Sequence, residues 1–120
     1  MEYIIVALKI VVGLSILNVW LIRGKRSTQW RGGEASNIKE EFKEYGLPVW
    51  FMYTVGTLKV GLAVLLLASI FFPGLEQFAA YGIAFLMLGA VSMHIKIGDP
   101  LKKSLPAFTF LVLSLIIALL

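Results

Sequence analysis

The chain contains no cysteine and a single histidine in 120 residues. Without a thiol it cannot run a disulfide relay, attack through sulfur or ligate an iron-sulfur cluster by itself. One histidine cannot supply a two-histidine haem site, and a four-ligand zinc site has too few donors of the right type. Charge is scarce too: 15% of residues are charged against 59% apolar, an extreme balance for a soluble domain of this length. No nucleophilic triad, phosphate loop or paired-carboxylate site can be traced. There is no internal repeat and no low-complexity tract. The interiors of the long apolar stretches hold no acidic residue at all.

What remains is four apolar stretches, about 3–22, 48–72, 75–97 and 102–120, each close to the roughly 20 residues a helix needs to cross a bilayer core. The expected architecture is all-α: an integral membrane four-helix bundle forming one domain over 1–120. The first stretch has Glu2 and no basic flank before it and no small-residue cleavage site after it, so it reads as a retained helix and not as a signal peptide.

Arg23, Lys25, Arg26, Arg31, Lys39 and Lys43 fall in the first connection, and Lys96, Lys102 and Lys103 in or beside the third. The Pro73-Gly74 connection has no cation. The positive-inside rule places the basic connections in the cytoplasm and both termini outside it, in a cytoplasmic (inner) membrane. Trp20, Trp30 and Trp50 fall at the same level and form an aromatic belt there. The net charge of +4 is thus gathered where anionic lipid headgroups lie, which argues for membrane lipid as the partner and against nucleic acid.

The first connection is long enough to hold a short interfacial helix, about 37–45. Asn37 and Glu40 form a capping-box pattern, Ile38, Phe42 and Tyr45 share a face, and Gly46 before Pro48 is a stop signal. This helix either ties two spans together or lies as a lid over an interhelical cavity. Small residues at Gly56, Gly61, Ala63, Gly82, Gly89, Ala90 and Ser92 suit close helix packing in lipid. Pro106 is expected near the start of the fourth helix, where a missing donor costs little.

Lys59 lies about eleven residues into the second span, near mid-bilayer at roughly 1.5 Å per residue. Such a cation faces the bundle interior and marks either a polar core or a ligand contact. Its counter-charge is Asp99, a glutamate of the first connection folded inward, a bound ligand, or nothing. Lys9, nearer the other face, is expected to snorkel to the outer headgroups. His94, at headgroup depth, suits either a backbone-bonded interfacial role or donation to a quinone or lipid carbonyl with proton exchange. Asp99 before Pro100 reads as a turn or cap residue, or as a base. With Trp30 and Arg31 of the Trp30-Arg31-Gly32-Gly33 run, Asp99 is a candidate interfacial or lid residue.

The order of Trp30-Arg31-Gly32-Gly33, Glu40-Glu41-Phe42, Tyr45-Gly46-Leu47-Pro48-Val49-Trp50, Val55-Gly56 with Lys59, and Met93-His94-Ile95-Lys96 before Gly98-Asp99-Pro100 and Pro106 resembles the DoxX-like family of small four-helix membrane proteins. That family takes its name from a subunit of an archaeal terminal quinol oxidase and is related to quinone-handling proteins, the vitamin K epoxide reductase group among them. The resemblance implies a quinone or isoprenoid lipid near the bundle core, with Lys59, His94, Tyr53 and Trp50 as candidate pocket residues. The cysteine-pair chemistry of the vitamin K group does not carry over. A related eukaryotic group acts in receptor assembly.

Three functions follow as expectations. The first is an accessory protein binding a quinone or other lipid beside membrane redox enzymes, alone or as a homo-oligomer, with no independent catalytic activity. The second is a structural or assembly subunit of a larger membrane complex. The third is an enzyme or transporter for a small lipophilic substrate, for which four helices would need an oligomer.

Overall fold

The computed structural model describes residues 2–22 and 37–120. Four helices are long and apolar enough to cross a membrane, over Glu2–Leu21, Val49–Ala68, Pro73–Lys96 and Lys102–Leu119. In chain order the elements are α1 (Glu2–Leu17) with a π-helical turn over Asn18–Ile22, α2 (Ile38–Glu44), α3 (Val49–Ala68), a 3₁₀ turn over Pro73–Leu75, α4 (Glu76–Lys96) and α5 (Leu101–Leu119). The described residues contain no strand. The longest dimension is 40 Å, matching a bilayer with its headgroups. This is an all-α membrane bundle in which α3 packs against α1 and α4, and α5 against α4 and α1.

Each spanning helix buries one stripe and leaves large apolar side chains facing outward. On α1 the stripe is Ile5, Lys9, Val12 and Ile16; on α3 it is Met52, Gly56, Ala63 and Leu66, with the half-buried Lys59 in phase; on α4 it runs through Ala80, Ile83, Ala84 and Met87 to His94. Lys9, Lys59 and His94 therefore lie on the inward faces of their helices.

Two helix ends share one device. After α2, Gly46 takes a positive φ of 77°, Gly46 N–H donates to Lys43 O and Leu47 N–H to Phe42 O. After α4, Gly98 takes φ 72°, Gly98 N–H donates to Ile95 O and Asp99 N–H to His94 O. Both are Schellman motifs, in which glycine reaches the left-handed region without a Cβ clash. At the other end of α2, Asn37 Oδ1 accepts from Glu40 N–H at 2.8 Å, the cap that the sequence pattern predicts.

Three details differ from expectation. The second span stops as a helix at Ala68 rather than reaching Phe72, because the chain must leave the α region before Pro73. Pro106 is the sixth residue of α5 and not part of its first turn, so it removes the bond an N–H there would make to the Lys102 carbonyl. Gly82 and Gly89 do not act alike: a Cβ on Gly82 would lie 2.8 Å from Leu62, whereas Gly89 has open space beside it.

Candidate functional site

The basic end of the bundle is closed by α2. Ile38, Phe42 and Tyr45 are buried against Met52, with Trp20, Leu47, Phe51, Val55, Met93 and Ile97 packed around them, while Lys39, Glu40, Lys43 and Glu44 stay exposed. Beneath this helix lies a pocket of about 380 Å³. Phe42, Tyr45 and Leu47 form its roof, Phe51, Val55 and Lys59 one wall, and α4 from Phe85 to Met93 the other. The short helix thus lies over this pocket.

Lys59 is half-buried and lines this pocket. Its Nζ stands 5.5 Å from the centre of the Trp20 ring, a cation–π approach. Among the described residues it has neither a hydrogen bond nor an ion pair. Trp20 is held from both sides. Phe42 meets it edge-on at 6.1 Å, and Gly56 leaves room for the indole, since a Cβ there would lie 2.7 Å from its Cζ3. Trp20 is thus a core residue as well as a belt residue, and the π-helical turn that carries it is a local widening of a kind frequent at functional sites.

His94 is buried, with 5% of its side chain exposed. Its Nδ1 lies 2.8 Å from Asp99 Oδ2 and its Nε2 3.4 Å from the Tyr45 hydroxyl. Tyr45 donates in turn to Glu41 Oε1 at 2.5 Å, and that oxygen is 3.9 Å from His94 Nε2. Lys96 Nζ donates to the Tyr45 carbonyl at 3.2 Å, and Lys103 Nζ lies 4.0 Å from Asp99 Oδ1. The Schellman turn explains the first contact. It brings the residue after Gly98 back over the third residue from the helix end, where an apolar pair is usual; Leu47 and Phe42 occupy the equivalent positions after α2, and the histidine and aspartate occupy them after α4.

The sequence-derived candidates therefore separate. Lys59 joins the pocket, and His94 with Asp99 sits directly behind Tyr45 in its roof. Tyr53 is 65% exposed and lines a different groove of about 810 Å³ with Trp20, Gly56, Val60 and Gly61. Trp50 is 68% exposed, touches Phe51 edge-on and lines neither space. Trp30 and Arg31 lie outside the described residues. Reading the sequence missed Glu41 and Tyr45 as site residues, although their i, i+4 spacing puts both on one side of the short helix.

At the opposite end the expectation for Lys9 is overturned. It does not snorkel: with 6% of its side chain exposed, its Nζ pairs with Glu76 Oε1 at 2.9 Å and donates to the Ser69 carbonyl at 3.3 Å. The register of α1 puts it in line with Ile5 and Val12, facing the ends of α3 and α4.

No three His, Asp or Glu side chains among the described residues are grouped to hold a metal ion. A family model described as the DoxX-like family matches residues 31–117, which include Glu41, Tyr45, Lys59, His94 and Asp99 but not Lys9 or Trp20. No curated protein and no solved structure matches the chain. The match covers well over half the sequence, and the chain belongs to the DoxX-like family.

Proposed function

We propose that this protein binds the carbonyl head of a quinone or another isoprenoid lipid in the pocket beneath α2, and that it acts as an accessory protein beside membrane redox enzymes that hold the redox centre. The observation that carries this reading is Lys59: an amine without a hydrogen-bonding partner among the described residues, opening into a space otherwise walled by Phe42, Phe51, Val55, Leu86 and Met93. A cationic donor in an apolar pocket suits a ligand that is mostly hydrocarbon and has one strong acceptor. The volume of about 380 Å³ is within the usual range of about 300–1,000 Å³ for small-molecule sites. A long tail has an exit between α3 and α4, where Phe85, Leu88 and Gly89 are exposed to the lipid side.

The test is titration of the protein in nanodiscs with decylubiquinone, followed by quenching of tryptophan fluorescence. Saturable binding is expected, and Lys59→Leu should weaken it at least about tenfold, as loss of a charge-assisted hydrogen bond does. Absence of saturable binding, or an unchanged affinity in a Lys59→Leu protein of native helix content, defeats the proposal. Stoichiometric co-purification of another membrane protein, indifferent to Lys59→Met, would instead favour the assembly-subunit role.

A further inference from the structure

We infer that Asp99, His94, Tyr45 and Glu41 form a proton-transfer path between the turn joining α4 to α5 and the short helix α2, whose Tyr45 lines the pocket; the inference rests on the quinone reading only for the identity of the group served at that end. The chain of contacts is continuous: 2.8 Å from Asp99 Oδ2 to His94 Nδ1, 3.4 Å from His94 Nε2 to the Tyr45 hydroxyl, and 2.5 Å from that hydroxyl to Glu41 Oε1. Asp99 takes one side of the ring, at Nδ1, and leaves the other side to Nε2. That nitrogen faces the tyrosine and, beyond it, the glutamate.

The transfer balances without any redox partner. The Nε2–H proton of His94 passes to the Tyr45 oxygen as that N–H bond breaks, and Nδ1 takes a proton from the Asp99 carboxyl group as its O–H bond breaks. The original Tyr45 O–H bond breaks in the same step, and its proton forms a new O–H bond on Glu41 Oε1. His94 ends neutral with its proton on Nδ1, Asp99 ends as a carboxylate, Tyr45 regains its hydroxyl and Glu41 becomes a carboxylic acid. Loss of the Glu41 proton, uptake of a proton by Asp99 at the turn and return of the ring proton from Nδ1 to Nε2 reset the chain.

A purely architectural network would explain less. The backbone is already tied across this junction by the bond from Lys96 Nζ to the Tyr45 carbonyl, and α2 is anchored by the buried Ile38 and Phe42. Two carboxylates addressing the two nitrogens of one imidazole, with a phenol bridging one side, add a route that packing does not require. Among the described residues, the charged groups around it are Glu41 on α2, Lys96 on α4, Asp99 in the turn and Lys103 on α5, with Lys59 on α3 lining the pocket that Tyr45 also lines. A quinone in the pocket, whose carbonyl oxygens take up protons when it becomes a quinol, is the class of ligand such a path would serve.

Because His94 is the only histidine, solvent exchange of its Nε2 proton can be followed without ambiguity by ¹⁵N NMR of the ligand-free protein. The relay and a structural network predict opposite signs. If Tyr45 and Glu41 conduct the proton, Tyr45→Phe and Glu41→Gln should each slow exchange at Nε2 at least about tenfold. If they merely hold α2 in place, removing their bonds loosens the cover and exchange quickens, with faster exchange of the Phe42 backbone amide as its signature. An unchanged or faster rate at Nε2 overturns the inference. Quinone titration of the same variants separates the two proposals: loss of quinone binding in the native protein would defeat the pocket reading and leave the exchange result to decide the relay.

Discussion

Glu76→Gln tests the architecture where sequence reading was most mistaken. In the native bundle the Lys9 ammonium lies 2.9 Å from Glu76 Oε1, with 6% of the lysine side chain and 26% of the glutamate side chain exposed. Removing one partner of a fully buried ion pair costs about 3–5 kcal/mol, because the other charge is left without compensation. Two features reduce that figure. The glutamate is partly exposed at a helix start, and the Ser69 carbonyl at 3.3 Å still accepts from Lys9. We therefore expect a loss of about 2 kcal/mol, roughly thirtyfold in the unfolding equilibrium. The assay is reversible unfolding in mixed micelles, comparing the native chain with Glu76→Gln, Lys9→Met and the double variant. The double variant should recover at least about 1 kcal/mol relative to the sum of the single losses, since the pair is one interaction counted twice. A loss below about 0.5 kcal/mol for Glu76→Gln, or strict additivity, would refute the claim that Lys9 is turned into the bundle.

Two further outcomes are expected. Gly56→Ala should destabilise by about 1–3 kcal/mol through overpacking against Trp20, whereas Gly61→Ala, with no heavy atom within 4 Å of its added Cβ, should stay within about 0.5 kcal/mol; the same unfolding assay reads both, and equal effects would show that Trp20 does not rest on Gly56. A tag at Leu120 should be open to protease in intact cells, and its protection would reverse the assigned orientation.

Much of the site was legible before any coordinates. The Gly98-Asp99-Pro100 run after His94 reads as a turn, and the structure makes that turn a left-handed stop that returns Asp99 to the histidine. The Asn37 cap and the Ile38, Phe42, Tyr45 stripe likewise marked α2 as a helix with one buried side. Tyr53 and Trp50 lie outside the pocket beneath α2; their helix is apolar all round, and on such a helix no contrast of hydropathy tells the bundle side from the lipid side. The same blindness hid the direction of Lys9, whose neighbours Ile5 and Val12 are buried while Ile4 and Val11 face outward.

By itself the sequence determined that this is a four-span membrane bundle of the DoxX-like pattern with one strongly basic end, since span length, charge distribution and capping signals act along the chain and need no partner. Only the tertiary structure decided that Lys9 meets Glu76, that Lys59 lies against Trp20, and that Glu41 and Tyr45 complete the surroundings of His94. Those contacts depend on how helices rotate against one another, and in lipid that rotation is set by small-residue clearances and polar pairing between helices, which no single helix displays.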